Sequence, residues 1–405
     1  MNISYMFLRK NKLVFINSLT FLACSMFFLS CNQNQPASAT TIAPIQNQQT
    51  KPTSATTITS IQNQQVKPAE IKINTKKESV ETDAINNTII PNYAKNTIAG
   101  ILIDAWQCIE GQEILVQDLT TSYADNIKCS VSIVFNSDKL VVQTTGIPNH
   151  DLESGFGCCA SEQNREWSLP LNPLAVESNN YSMAPKRGPV AVAVNGAAIY
   201  GPEEGPGGDA VALHYGKFIE DRQPIQLGIC GGHSGPGGEY HYHYDANCIH
   251  WHPDTSAGES ANDYSIDKLD SKNHSPVIGF AFDGYPIYGF FGFDTYGNVR
   301  EMTSSYRLND GANGYNGSDD YTYEKGLGDL DQCNGHFGAT PDFPNGIYHY
   351  HSTIKSGSGD MGFPYFVYCY YGIPDESNYS EGQGMGPAGG LPSSNRPPPR
   401  PPRRR

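Results

Sequence analysis

Two short stretches of this 405-residue sequence hold most of the side chains that could do chemistry. The first is Cys230-Gly-Gly-His233, followed by Tyr240-His241-Tyr242-His243; the second is Cys333-Asn-Gly-His336, followed by Tyr348-His349-Tyr350-His351. A Tyr-His-Tyr-His run has the period of a β-strand, so both imidazoles of a run face one side and both phenols the other. Two positions apart on a strand is about 7 Å, close enough for both rings to reach one ion. His233 or His336 would supply a third nitrogen. Three imidazoles with an open position is the donor set of catalytic zinc centres, and His-rich sets also suit copper or iron. The candidate ligands are therefore His233, His241, His243, His336, His349 and His351, and the candidate cofactor is a transition metal: copper, zinc or iron. Six imidazoles converging on a cleft would favour a metal. Rings scattered or bonded to main chain would make them internal hydrogen-bonding groups.

No nucleophile or general base stands out beside these residues, so the sequence leaves open whether catalysis follows binding. His250 and His252 form another His-x-His that the second stretch lacks, and they read as surface or accessory ligands. His150, His214 and His274 are isolated and read as structural.

Ten cysteines are present. Cys24 and Cys31 lie in the N-terminal apolar segment. The other eight include no Cys-x-x-Cys, and an even number in an exported chain reads as disulfides. Cys230 and Cys333 precede a His at metal-site spacing, but each has a later cysteine. The expected pairs are Cys230–Cys248 and Cys333–Cys369, which would staple the His-bearing strands. The adjacent Cys158 and Cys159 are expected to find separate partners, with Cys108 and Cys129 the candidates.

The elements that must position these groups are also duplicated. Pro189 to Gly201 reads PVAVAVNGAAIYG and Pro276 to Gly289 reads PVIGFAFDGYPIYG. Asn-Gly or Asp-Gly between apolar runs is a strong hairpin signal. Each hairpin leads through a Gly-rich stretch into its Cys/His element. The same parts in the same order predict a mainly β fold, a duplicated and pseudo-symmetric module with long loops and few short helices. Its halves are 188–270 and 271–374. Asp283 reads as a turn former, because its counterpart Asn195 cannot ionise. Residues 93–187 form a β-rich segment before it, with strands within Ile127 to Phe135 and Leu140 to Thr144. Asn309 to Asp320 reads as a flexible acidic loop.

The two ends are of another kind. Arg9, Lys10 and Lys12 precede the apolar run Leu13 to Ser30, an export signal, and Phe28-Leu29-Ser30-Cys31 has the form of a lipobox in which Cys31 is acylated. Residues 1–31 are thus the signal, with Cys24 a second candidate for the lipid. Residues 32–92 are a low-complexity tether with an internal repeat, and 375–405 a Gly/Pro/Arg-rich tail; neither carries enough apolar surface to fold. The expected location is extracytoplasmic, in the cell envelope, with the membrane reached through a lipid or signal anchor. A net charge of −14 argues against nucleic acid as a partner.

The second half carries further runs: Asp283 to Gly289, Ser305-Tyr306-Arg307-Leu308, Leu330 to Gly335, Thr340 to Pro344 and Phe363 to Cys369. With the Tyr-His-Tyr-His motifs they resemble the YHYH protein family over roughly Gly188 to Pro374. The resemblance implies an exported protein, often anchored by a signal peptide or lipid, and implies no particular activity. The leading reading is extracytoplasmic binding of a transition metal by the two His sets. The other reading is a non-enzymatic envelope module that recognises a glycan or protein through its Tyr-rich loops.

Overall fold

The computed structural model describes residues 93–380, except 109–112, 119–123, 155–158, 206, 221–224 and 236. The signal, Cys31, the tether, the tail beyond 380 and Cys158 lie outside the described residues.

An eight-stranded sheet organises the chain. Its strands, in chain order, are β1 (Pro189–Ala193), β2 (Ala198–Tyr200), β3 (Gly232–Ser234), β4 (Tyr240–Tyr242), β5 (Val277–Ala281), β6 (Pro286–Tyr288), β7 (Gly335–Gly338) and β8 (Ile347–His351). Their order across the sheet is β3-β4-β2-β1-β5-β6-β8-β7. Read outward from the centre, both halves repeat one pattern. The hairpin β1–β2 is antiparallel, β2–β4 is parallel, and β4–β3 is antiparallel. The second half does the same with β5–β6, β6–β8 and β8–β7.

The halves meet where β1 pairs with β5, antiparallel. Val192 opposes Phe280, Ala193 opposes Gly279 and Ala191 opposes Ala281. Val192 and Phe280, 88 apart (280 − 192), face one another, and a pseudo-twofold axis that relates positions 88 apart passes between them. The same offset of 88 recurs in the hydrogen bonds that close the hairpins, Gly201 N to Gly188 O and Gly289 N to Pro276 O. β1 and β5 are buried along their whole length, as strands covered on both faces must be.

The hairpin turns follow from Asn195-Gly196 and Asp283-Gly284. Each is a three-residue loop closed by a glycine with positive φ, +87° at Gly196 and +85° at Gly284, a conformation that costs glycine little. Asp283 does more than turn the chain. Its buried carboxylate accepts the Tyr350 hydroxyl at 2.7 Å, the Gly372 amide at 2.9 Å and the Tyr285 amide at 3.2 Å. Burial pushes its pKa up to about 6. Asn195 answers it in the first half, donating to the Tyr242 hydroxyl at 2.9 Å. Each turn thus ties the second tyrosine of its own Tyr-His-Tyr-His run.

The preceding segment contributes Val131–Asn136, Lys139–Thr144 and Arg165–Pro170, an antiparallel three-stranded sheet. Its Trp167 stacks on Phe282 at 5.4 Å, and Trp106 lies 6.0 Å from Phe280, so one apolar core runs from Ala99 to Tyr370. Among the described residues no helix is long and apolar enough to cross a membrane.

The structure joins Cys230 to Cys248 and Cys333 to Cys369, as expected. It corrects the third assignment. Cys108 bonds to Cys129 rather than to either member of the 158–159 pair. Residues 309–320 are also ordered. The Asp320 carboxylate accepts the Gly314 and Asn316 amides and the Asn316 side chain, folding the segment on itself. Of its charges, Asp320 is spent within the segment and Asp319 pairs with Lys186 outside it.

Candidate metal centres

Alternation places the histidines as the sequence predicts. Pairing carries His241 across the sheet through Ala198 to Val192, and Val192 through Phe280 to Pro286, so these residues share one face. Ile287 pairs with Tyr350, which puts His349 on the Pro286 side. Both His pairs therefore project from the same face of the sheet, and the tyrosines between them fill the other. Tyr240, Tyr242 and Tyr350 are almost wholly buried. Burying such a ring stabilises by about 1.5–3 kcal/mol, which fixes the strand rotation that aims the imidazoles.

The six histidines form two clusters, not one. β4 and β8 are separated by five strand spacings, about 24 Å. In the first cluster His233 on β3 lies directly across from His241, with ring centroids 4.6 Å apart, and His243 lies 4.9 Å from His241. In the second, His336 faces His349 at 4.5 Å and His351 lies 5.0 Å from His349.

Each cluster gains a group that sequence reasoning missed. Glu204, in the loop after β2, brings Oε1 to 2.8 Å from His243 Nε2 and 3.1 Å from His233 Nε2. Its other oxygen accepts the Gly205 amide at 3.4 Å. His274, read as structural from the sequence, instead joins His349 and His351. Their ligand atoms lie within 4.8 Å of one another, as do those of Glu204, His233, His241 and His243. Neither addition falls in a motif, and only the fold brings them in. The offset of 88 gives no clue either, because the counterpart of Glu204 is Gly292 and that of His274 is Lys186.

The decisive detail is which ring nitrogen is used. His241 Nδ1 meets the Glu239 carbonyl at 3.2 Å, and its counterpart His349 meets the Ile347 carbonyl at 3.0 Å. His243 Nδ1 meets the Gly201 carbonyl at 3.2 Å, and His351 meets the Gly289 carbonyl at 2.7 Å. His274 Nδ1 meets the Ser275 carbonyl at 2.8 Å. A carbonyl can only accept, so each Nδ1 carries a proton, and wherever the ring is neutral its bare Nε2 lone pair points inward. This is the outer hydrogen bond that metal-ligating histidines make. The Nε2 atoms of His274 and His351 are buried without a hydrogen-bond partner.

Electrostatics holds these rings in the ligand form. Burial first, then neighbouring imidazoles, push the pKa values of His241, His349 and His351 well below the ordinary value. Burial lowers His336 to about 4. Burial opposes the Glu204 charge, but His243 and His233, where protonated, outweigh it and hold that carboxyl well below its usual range; a bound metal cation would act on it in the same direction. The spacing fits an ion as well. Two donors about 2.0–2.1 Å from a tetrahedral metal sit roughly 3.3 Å apart. The observed separations are 2.8 and 3.1 Å to Glu204, and 3.0 Å between His336 and His349 Nε2.

The remaining histidines behave otherwise. His150 Nε2 meets the Tyr242 hydroxyl at 2.6 Å, and His214 Nδ1 accepts the Leu227 amide, both structural as expected. His250 bonds the Val277 carbonyl at 2.7 Å and joins neither cluster. His150 also approaches Cys230 and Cys248, but their sulfurs are spent in a disulfide. A cavity of about 400 Å³, lined by His274, His250, Gln107 and Asp342 among others, opens beside the second cluster.

A duplicated β module with Tyr-His-Tyr-His strands defines a class, and the comparison with known families agrees. The family model described as YHYH protein matches residues 166–372, half of the chain, and the protein belongs to this family. The match starts before Gly188 and takes in the strand at Arg165–Pro170. No curated protein and no solved structure matches the chain.

Proposed function

We propose that this is an extracytoplasmic metal-binding protein with two transition-metal centres, one per half. His233, His241, His243 and Glu204 form the first; His349, His351 and His274 form the second, with His336 beside His349 at 3.0 Å. The observation that carries the reading is the set of carbonyl-fixed tautomers. Five buried imidazoles each use Nδ1 on the main chain and turn Nε2 toward its neighbours. Glu204 Oε1 and a neutral His243 would face each other as two acceptors 2.8 Å apart, a buried contact that a cation, either a metal or a proton on His243, relieves.

The outer location rests on the leader and on the disulfides, which persist in oxidising compartments. Cys31 would then hold the protein at the membrane, and Cys31→Ser should move it from the membrane to the soluble fraction. Envelope recognition of a glycan or protein through Tyr-rich loops is the second reading. It explains the buried tyrosines less well, since they face the core.

Ligand linkage tests the metal reading. A metal present at a hundredfold its Kd stabilises the fold by about 2.7 kcal/mol. Zinc or copper should raise the melting temperature of the protein, and His241→Ala with His349→Ala should abolish the rise. An equal rise in that double variant would refute metal binding at these clusters.

A further inference from the structure

The two centres descend from one pattern but no longer have the same donors, and the differences fall at two positions related by the offset of 88. Glu204 corresponds to Gly292 (204 + 88), and Lys186 corresponds to His274 (186 + 88). In the first half Lys186 turns away from the cluster toward Asp319, 3.2 Å, and Glu204 supplies an anion. In the second half a side chain at Gly292 is barred. A Cβ there would stand 2.8 and 2.9 Å from His351 Cε1 and Nε2, and 2.9 Å from Met302 Cγ. No carboxylate can enter from that position, and His274 brings an imidazole to His349 and His351 instead. The acids whose charge reaches the second cluster are already engaged. Asp329 accepts from Thr303 and pairs with Arg300, and Asp342 accepts the Tyr288 hydroxyl.

We propose, resting on the two-centre reading, that the centres are specialised for different metals: the Glu204 centre for a divalent ion such as zinc, the His274 centre for copper(I). The argument is charge and softness. Burying an ion costs energy in proportion to the square of its charge, so in a dry site an anionic donor favours the divalent ion. The first centre has one and the second does not. A monovalent ion faces about a quarter of that cost, and copper(I) favours imidazole and thioether donors over carboxylate. The second site is fitted to it. His274 packs edge-on against Tyr288 at 4.8 Å and near Phe293 at 4.9 Å, and the side chain of fully buried Met302 meets the same small gap at Gly292 as His351.

The test isolates each centre. His349→Ala leaves the Glu204 centre and His241→Ala leaves the His274 centre. Each full-length variant is exposed anaerobically to equimolar zinc(II) and copper(I), desalted and analysed for both metals. The bound copper-to-zinc ratio should be at least about tenfold higher in the His241→Ala protein. Glu204→Gln, which keeps shape and loses charge, should shift the first centre toward copper in the His349→Ala background. Equal ratios in the two single variants, or no response to Glu204→Gln, would overturn the specialisation while leaving two metal centres standing. No metal of either kind in any of them would instead overturn the metal reading itself.

Discussion

An imidazole can give a metal only the nitrogen it does not use elsewhere, so the residue-scale question is how each ring spends its two. In both clusters the main chain takes Nδ1, at Glu239 and Gly201 in one half and at Ile347 and Gly289 in the other. The sequence showed the His-x-His spacing but not the carbonyls, which lie two residues back along the chain at Glu239 and Ile347 and just after each hairpin at Gly201 and Gly289. For the same reason His274 and Glu204 escaped notice: each is a lone residue whose role depends on what folds against it. Gly292 is the sharpest residue-level probe. Gly292→Ala puts a methyl against the His351 ring and should remove the second metal, with a loss of about 1–3 kcal/mol from overpacking; denaturant titration and metal content read the two effects. His150 supplies a pH probe away from the clusters. Burial lowers its pKa from 6.5 to about 4. A folded pKa below the unfolded one gives stability that is intact above pH 6.5 and lost as pH falls through 4. The loss amounts to about 3 kcal/mol at most. His150→Asn should reduce the slope of the stability profile between pH 6.5 and 4, to which the other buried histidines also contribute, measured by urea unfolding at several pH values. An unchanged slope would mean that His150 does not govern it.

At the scale of elements, the hairpins and the Tyr-His-Tyr-His strands were legible because they rest on local chemistry: Asn-Gly, Asp-Gly and strict alternation. What the sequence could not show is how the halves join. That depends on β1 pairing β5 through Val192 and Phe280, two apolar residues indistinguishable in sequence from their neighbours. The outer pairs β3–β4 and β7–β8 are short and depend on support. Cys230 sits beside β3 and bonds to Cys248, while Cys333 stands just before β7 and bonds to Cys369. Loop-closure entropy gives about 3 and about 4 kcal/mol for loops of these lengths. Replacing Cys333 and Cys369 with serine should cost more stability than replacing Cys230 and Cys248, by thermal or urea unfolding. The reverse order would show that strand packing, not chain restraint, dominates. The adjacent-cysteine assignment failed because connectivity depends on three-dimensional proximity. Cys108 and Cys129 have Cα atoms 5.8 Å apart.

At the scale of the whole molecule, duplication placed two copies of one donor pattern on one face of one sheet, about 24 Å apart by strand spacing. Sites that far apart with no shared residue should act independently. Metal lost from one should leave the other filled, and the two losses should add. The measurement that bears most directly on this account is elemental analysis of the full-length protein, made without a polyhistidine tag and exposed to zinc and copper before desalting. About two metal ions per chain are expected, falling to about one in either His241→Ala or His349→Ala and to none when both are changed. A wild-type protein that retains no metal, or a double variant that retains as much as wild type, would contradict it.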